Sequence, residues 1–348
     1  MFFSKIYLSA LFAGLFLLFG CTSSEPVKYP LPDAAEQLRL DQRTGALKEK
    51  ISPFRVRGIT LDQNTIRLRD TDFLVKRLQK MGFNRVFLSL KKGDMLKGAV
   101  SDFTGRCNRA GIEVYAVLQQ ADAVSKPSSN LFMRKFSDEK VTLASVAKEF
   151  AEQNRELPAE QQLKGFMLAV APHLFTPANP FRPSGCLYSW DKNRFGSGLD
   201  NEALIHYSIR EVEEASRLVA PLPVMVQLPD FYYGLTKAGK LPAGILKKFS
   251  LSGSKPRELV LLNSGNKPSE LFLRVEAELK ERPVEIPLLI AVNLAPHTAV
   301  TKGELRRRNW NDLVRSIGYA AGRYQSSRNI AGLVLGPCDR IELLLEEK

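Results

Sequence analysis

Residues 85–118 read RVFLSLKKGDMLKGAVSDFTGRCNRAGIEVYAVL, and their pattern indicates the class of fold. It begins with the apolar run RVFLSL at 85–90 and ends with a second run, IEVYAVL, at 112–118. Both runs are apolar at consecutive positions, which is typical of strands buried on both faces of a parallel sheet. Between them, FTGRCNRAG at 103–111 has the spacing of a buried helix. The order strand, helix, strand predicts one unit of a parallel α/β sheet.

The same unit recurs along the chain. Strands are predicted at 56–61, 85–90, 112–118, 165–171, 223–228, 258–262, 287–292 and 330–335. Helices are predicted between most of them, at 72–81, 141–153, 201–219, 269–279 and 311–324. Eight such alternations predict an α/β fold, a (β/α)8 TIM barrel over 51–348. An open doubly wound sheet is the alternative. No Gly-rich phosphate loop follows a strand, which disfavours its nucleotide-binding form, and we predict no cofactor.

The chain begins with MFFSKIYLSALFAGLFLLFGC, a lysine followed by a short apolar run and Cys21. The run is shorter than the roughly 20 residues that cross a bilayer, so it is typical of a signal peptide. The tetrapeptide LFGC (18–21) resembles a lipobox, the motif that is lipidated at its cysteine in bacterial lipoproteins. The resemblance implies a signal peptide at 1–20, acyl chains such as palmitate on Cys21, and a lipid-anchored tether at 21–50. An uncleaved anchor helix with a chance cysteine is the alternative.

Within the tether, the spacing of Ala, Leu and charged residues predicts a short helix at 33–50. Thr22 directly follows Cys21. An aspartate at position 22 would suggest retention in the inner membrane. Its absence favours the outer membrane if the cell is Gram-negative.

The net charge of the chain limits the classes of molecule that it is expected to bind. The formal net charge is +13, from 50 Lys and Arg against 37 Asp and Glu. A basic envelope protein faces anionic lipid, lipopolysaccharide phosphates and acidic polysaccharides. Export excludes nucleic acid as a partner.

Three cysteines remain after Cys21, so at least one thiol is free or buried. Cys107 lies in the helical pattern and is predicted to be a core residue. Cys186 and Cys338 each follow a predicted strand end, which leaves a disulfide between them open in an oxidising compartment.

At the fourth predicted strand, LKGFMLAVAP (163–172) resembles the strand-4 motif of glycoside-hydrolase-like barrels, in which Asp and Glu stand before a proline. Gly165 and Pro172 match the motif, but Ala169 and Ala171 occupy the two acidic positions. The resemblance implies a glycoside-hydrolase-like barrel in which the usual acidic residues of strands 4 and 7 are absent. Glycosidases need two carboxyl groups across the scissile bond. We therefore expect a non-catalytic glycan-binding or structural module, with a hydrolase that uses non-standard acids as the alternative.

In such a barrel the carboxyl ends of the strands form the site. The candidate catalytic residues there are Asp62, Asp230, Asp339, His173 and His297. The candidate ligand-binding residues are Gln119, Gln227, Asn263, Asn293, Trp190 and Tyr232, because amides hydrogen-bond sugar hydroxyls and aromatic rings stack on sugar C–H faces. The two histidines each stand in an Ala-Pro-His sequence, which is compatible with two metal ligands or with chance. We predict no metal.

Overall fold

The computed structural model describes residues 34–127, 134–136, 140–170, 201–229, 257–262, 286–294, 310–324 and 329–346. Ten strands lie in these residues: β1 (Val56–Asp62), β2 (Arg85–Leu90), β3 (Glu113–Gln119), β4 (Ser125–Pro127), β5 (Arg134–Phe136), β6 (Gly165–Ala169), β7 (Val224–Pro229), β8 (Leu259–Leu262), β9 (Leu288–Asn293) and β10 (Ile330–Gly336). Eight of them close into a barrel in the order β1-β10-β9-β8-β7-β6-β3-β2, and every pair is parallel. The closed barrel confirms the predicted (β/α)8 fold and excludes an open sheet. The remaining two, β4 and β5, form a separate antiparallel pair.

Nine α-helices lie in the described residues: α1 (Ala34–Ile51), α2 (Gln63–Leu68), α3 (Thr71–Met81), α4 (Ala99–Arg109), α5 (Gln120–Val124), α6 (Leu143–Arg155), α7 (Asn201–Val219), α8 (Trp310–Tyr324) and α9 (Cys338–Glu346). A 3₁₀ turn covers Ala159–Gln161. The helices predicted at 33–50, 72–81, 141–153, 201–219 and 311–324 are confirmed to within two residues at each end. The helix predicted at 269–279 lies outside the described residues. None of the helices described is long and apolar enough to cross a membrane.

The chain divides by internal contacts into two compact units, Met1–Arg39 and Leu40–Lys348. The second unit contains the barrel together with most of α1. Leu47 and Ile51 of α1 are buried in the core of that unit. In the same unit, Arg43 donates hydrogen bonds to the carbonyl oxygens of Leu344 and Leu345 at the end of α9.

Helix α3 shows how local sequence sets an element's ends. The Asp70 carboxylate accepts a hydrogen bond from the Phe73 backbone N–H at 2.7 Å, which satisfies one of the unpaired donors at the helix start. At the other end Gly82 takes a left-handed conformation, with φ at 86°, and closes the helix. Between these ends, Leu74 and Leu78 lie on the face that packs against the barrel.

The core has two layers, one between the strands and helices and one inside the barrel. Phe87 and Tyr115 fill the interior, with ring centroids 6.1 Å apart. Glycines on neighbouring strands make room for these rings. A Cβ on Gly58 would lie 2.6 Å from the Phe87 ring, and one on Gly165 would lie 2.8 Å from the Tyr115 ring. The barrel is therefore packed through the middle.

Charged residues close the amino end of the barrel. Arg85 donates from Nη1 to Glu258 at 2.6 Å, and from Nε and Nη2 to Glu113 at 3.0 and 2.8 Å. Strands β2 and β8 are four places apart in either direction, so the Arg85–Glu258 pair spans the barrel. Burial acts to lower the pKa of Arg85, but the charges of Glu258, Tyr115 and Glu113 outweigh it and raise that pKa. Arg85 is therefore positively charged at neutral pH.

Candidate functional site

The carboxyl end of the barrel is lined mostly by small or neutral side chains. Successive residues of a strand point to opposite faces, so residues of one parity point inward. Val117 and Ala291 belong to the interior cluster, and Ala169 and Leu262 pack against it. Thr60, Ser89 and Gln227 each lie an even number of residues from an inward residue of the same strand, so they also face inward. All three are half-buried. Asp62 has the parity of Thr60 and pairs in register with Ser89, so it is the one carboxylate that the described strand residues place at this end, and it is exposed.

Three neighbouring strands place two predicted ligand-binding residues in one row. Gln119 of β3 pairs in register with Ala169 of β6, and Ala169 pairs with Gln227 of β7. Because neighbouring strands are about 4.8 Å apart, the two glutamine backbones are separated by roughly 10 Å. Gln119 is exposed at the strand end and Gln227 is half-buried. We call Gln119, Ala169 and Gln227 the amide row.

Asp62, a predicted catalytic residue, begins helix α2. Its Oδ1 accepts hydrogen bonds from the Thr65 backbone N–H at 2.7 Å and from the Thr65 hydroxyl at 3.0 Å. The carboxylate is exposed and acts as the helix N-cap. The sequence contains a signal for this role, because Asp is among the preferred N-cap residues.

Asp339 is exposed in the first turn of α9, beside the buried Cys338. Cys338 is a free cysteine, and Cys186, its possible disulfide partner, lies outside the described residues. Burial raises the pKa of its thiol. Cys107 is also free and buried, which confirms its predicted place in the core.

One buried carboxylate near this end escaped the sequence analysis. Glu342 of α9 is buried and pairs with Arg69 and with Arg77, whose Nε lies 3.0 Å from Oε1. Burial acts to lower the pKa of Arg69, but its hydrogen bond to Glu342 and the Glu342 charge raise it. The two guanidinium groups fix α9 against the segment that contains α2 and α3. The available signal was a single Glu inside the apolar run IELLL at 341–345.

Gln120, next to the amide row, has a structural contact. Its side-chain amide nitrogen donates to the Ser208 hydroxyl at 3.1 Å, and both residues are fully buried. This bond ties the end of β3 to α7. It thereby holds Gln119 at the barrel rim.

The remaining predicted site residues lie wholly or partly outside the described residues. Asn293 is the last residue of β9 and pairs in register with Gly336, and its side chain is outside the description. Cys21, His173, Trp190, Asp230, Tyr232, Asn263 and His297 lie outside the described residues. Within the part of the chain that is described, no three His, Cys, Asp or Glu residues form a group able to hold a metal ion.

Comparison with known proteins adds the fold alone. No protein-family model matches the sequence, and no curated protein matches it. Among solved structures, the native form of CbXyn10B is 12% identical over 83% of this chain and 86% of that chain, with a TM-score of 0.48. The β-mannanase of the blue mussel Mytilus edulis is 11% identical over 84% and 90%, at 0.47. A phosphonopyruvate hydrolase is 9% identical over 86% and 82%, at 0.41.

Proposed function

We propose that this protein is a lipid-anchored bacterial envelope protein whose barrel holds a glycan without cleaving it. The observation that supports this is the amide row at the carboxyl end of the barrel. A glutamine amide has two N–H donors and a carbonyl acceptor, so it can hydrogen-bond a sugar hydroxyl in either sense. A side-chain amide neither gains nor loses a proton to become charged near neutral pH, so it cannot act as a general acid or base. The row is therefore suited to binding and unsuited to acid–base catalysis.

The described carboxylates at this end support the same proposal. Hydrolysis of a glycosidic bond uses a pair of carboxyl groups about 5 to 9.5 Å apart. Asp62 is engaged as a helix cap, and Glu342 is paired with two arginines. Ala169 stands at one of the two acidic positions of the glycoside-hydrolase-like motif.

The anchor and the charge suggest where the glycan lies. Lipid on Cys21 would hold the chain at a bacterial envelope membrane, with the outer membrane favoured. The net charge of +13 favours acidic polysaccharide or lipopolysaccharide over neutral glycans.

The binding test uses the full chain in detergent against envelope and extracellular polysaccharides, neutral and acidic. Binding and the release of reducing ends are measured on the same samples. Each amide–hydroxyl hydrogen bond is worth about 0.5–1.5 kcal/mol, so Gln119→Ala and Gln227→Ala should each weaken binding roughly 2- to 10-fold. Gln37→Ala, at an exposed glutamine of α1, is the matched control. Reducing ends from the unaltered chain would overturn the non-catalytic proposal in favour of a hydrolase.

The anchor is tested separately. Metabolic labelling with a palmitate analogue should mark the full chain in a bacterial host, and Cys21→Ala should abolish the label. Labelling that survives Cys21→Ala would contradict lipidation at this residue.

A further inference from the structure

The amino end of the barrel contains a cavity of about 530 Å³, at the opposite end from the amide row. It lies where the strands begin, and its charged lining residues are Arg55, Arg85, Glu113, Arg257 and Glu258. Pockets of this size accommodate small organic molecules.

The charges in this cavity do not cancel. Both carboxylates are bound to one guanidinium, that of Arg85. Arg55 and Arg257 then remain as two exposed cations on the same cavity. Arg257 donates from Nη1 to the Tyr115 hydroxyl at 2.9 Å, and within the described residues no carboxylate pairs with either arginine.

The cavity floor is rigid. Arg85 has three hydrogen bonds to carboxylates, and its guanidinium lies 4.7 Å from the centroid of the Tyr115 ring. Glu258 is 3% exposed and Arg85 is 5% exposed. A buried ion pair is often no more stabilising than apolar residues of the same volume. Stability alone therefore does not explain why this end of the barrel is charged.

We propose that this cavity is a second binding site, which takes a small molecule through a phosphate group. The planar fork of a guanidinium matches the spacing of phosphate oxygens, and two forks match a group with up to two charges and several acceptor oxygens. A carboxylate has a single charge and two oxygens, and it would use less of this arrangement. Arg55 and Arg257 hold the phosphate, and Arg85 with its two carboxylates forms the floor of the cavity beside it.

The phosphate can come from a free metabolite or from a lipid head group, and two probes distinguish them. The full chain in detergent is titrated calorimetrically with glycerol 3-phosphate and, separately, with a short-chain phosphatidylglycerol. Saturable binding of either probe supports the site, and the tighter probe identifies the source. Affinity should fall as NaCl is raised, since the contact is between exposed charges.

Variants then locate the binding. Arg55→Gln and Arg257→Gln should each lower affinity about 10-fold, and the double variant should abolish saturable binding. Arg210→Gln, at an exposed arginine of α7, makes the same charge change and should leave affinity unchanged. The thermal midpoints of all variants show whether Arg257→Gln lowers affinity by destabilising the fold. Among the described residues, Arg55 makes no contact of this kind with Tyr115, so the Arg55→Gln result is a test that does not depend on that hydrogen bond. The proposal is overturned if neither probe binds the unaltered chain saturably, or if the double variant binds as well as the Arg210→Gln control.

Discussion

Replacing Arg85 by methionine tests the account of the amino end of the barrel. The change removes the partner of Glu258, which is 3% exposed and accepts its bond from Arg85 at 2.6 Å. Breaking a buried pair from one side costs about 3–5 kcal/mol, because the remaining charge is uncompensated. The Glu113 side chain is 42% exposed and can be solvated, so its loss of Arg85 adds at most about 1 kcal/mol. We expect Arg85→Met to lower the free energy of unfolding by about 4 kcal/mol.

The assay is unfolding in urea at pH 7, followed by circular dichroism, with a thermal scan beside it. At about 2 °C for each kcal/mol, the expected loss lowers the melting midpoint by roughly 8 °C. The second variant, Arg85→Met with Glu258→Leu, should recover most of the loss because no buried charge is left unpaired.

Arg106 provides the matched control. It also pairs with two carboxylates, Asp72 and Asp102, but on the protein surface. Exposed pairs contribute about 0–1 kcal/mol, so Arg106→Met should change stability little. The reasoning is refuted if Arg85→Met is no more destabilising than Arg106→Met. It is also refuted if the double variant is no more stable than Arg85→Met.

Three further predictions follow from individual contacts. Asp62→Ala should cost about 1 kcal/mol through loss of the α2 cap, measured by urea unfolding, and Asp62→Asn should cost much less because Asn also caps helices. Burial raises the thiol pKa of Cys107 and Cys338. Above about pH 8.5 these thiols ionise in the unfolded chain but stay protonated in the folded protein, so the free energy of unfolding falls as pH rises. The urea midpoint should therefore fall between pH 8 and 10, and it should fall less when both cysteines are replaced by alanine. An equal fall in the unaltered chain and the double variant would contradict a role of the two thiols in this pH dependence. Gly336→Ala would place a Cβ 1.7 Å from Thr60 Oγ1 and should cost about 1–3 kcal/mol in thermal unfolding, with partial recovery in the double variant with Thr60→Ala.

The sequence analysis did not predict helix α9 or the short elements. Helices α2 and α5 and the β4–β5 pair contain too few residues for a periodic pattern. Their ends are set by single contacts, such as the Asp62 cap at the start of α2. Asp62 is a catalytic candidate because it ends a strand. The same residue directly precedes helix α2, so it is also in position to cap that helix.

At the candidate site, the ligand-binding roles of Gln119 and Gln227 stay predictions, and the structure gives only their positions. Gln119 and Gln227 were expected to bind a ligand, and both lie at the carboxyl end of the barrel. The buried partnership of Glu342 with Arg69 and Arg77 was not predicted. Its members come from helices at opposite ends of the chain, and no local pattern connects them.

The alternation of apolar runs and helical patterns was sufficient to predict the barrel, because burial on both faces of a strand leaves a local, readable pattern. The stretch 85–118 already contained one complete unit of it. Barrel closure alone placed Arg85 against Glu258, 173 residues further along the chain. Closure likewise put Ala169 between Gln119 and Gln227. Such pairings depend on strand order and register, which are set by the packing of the whole sheet and leave no trace in the residues on either side.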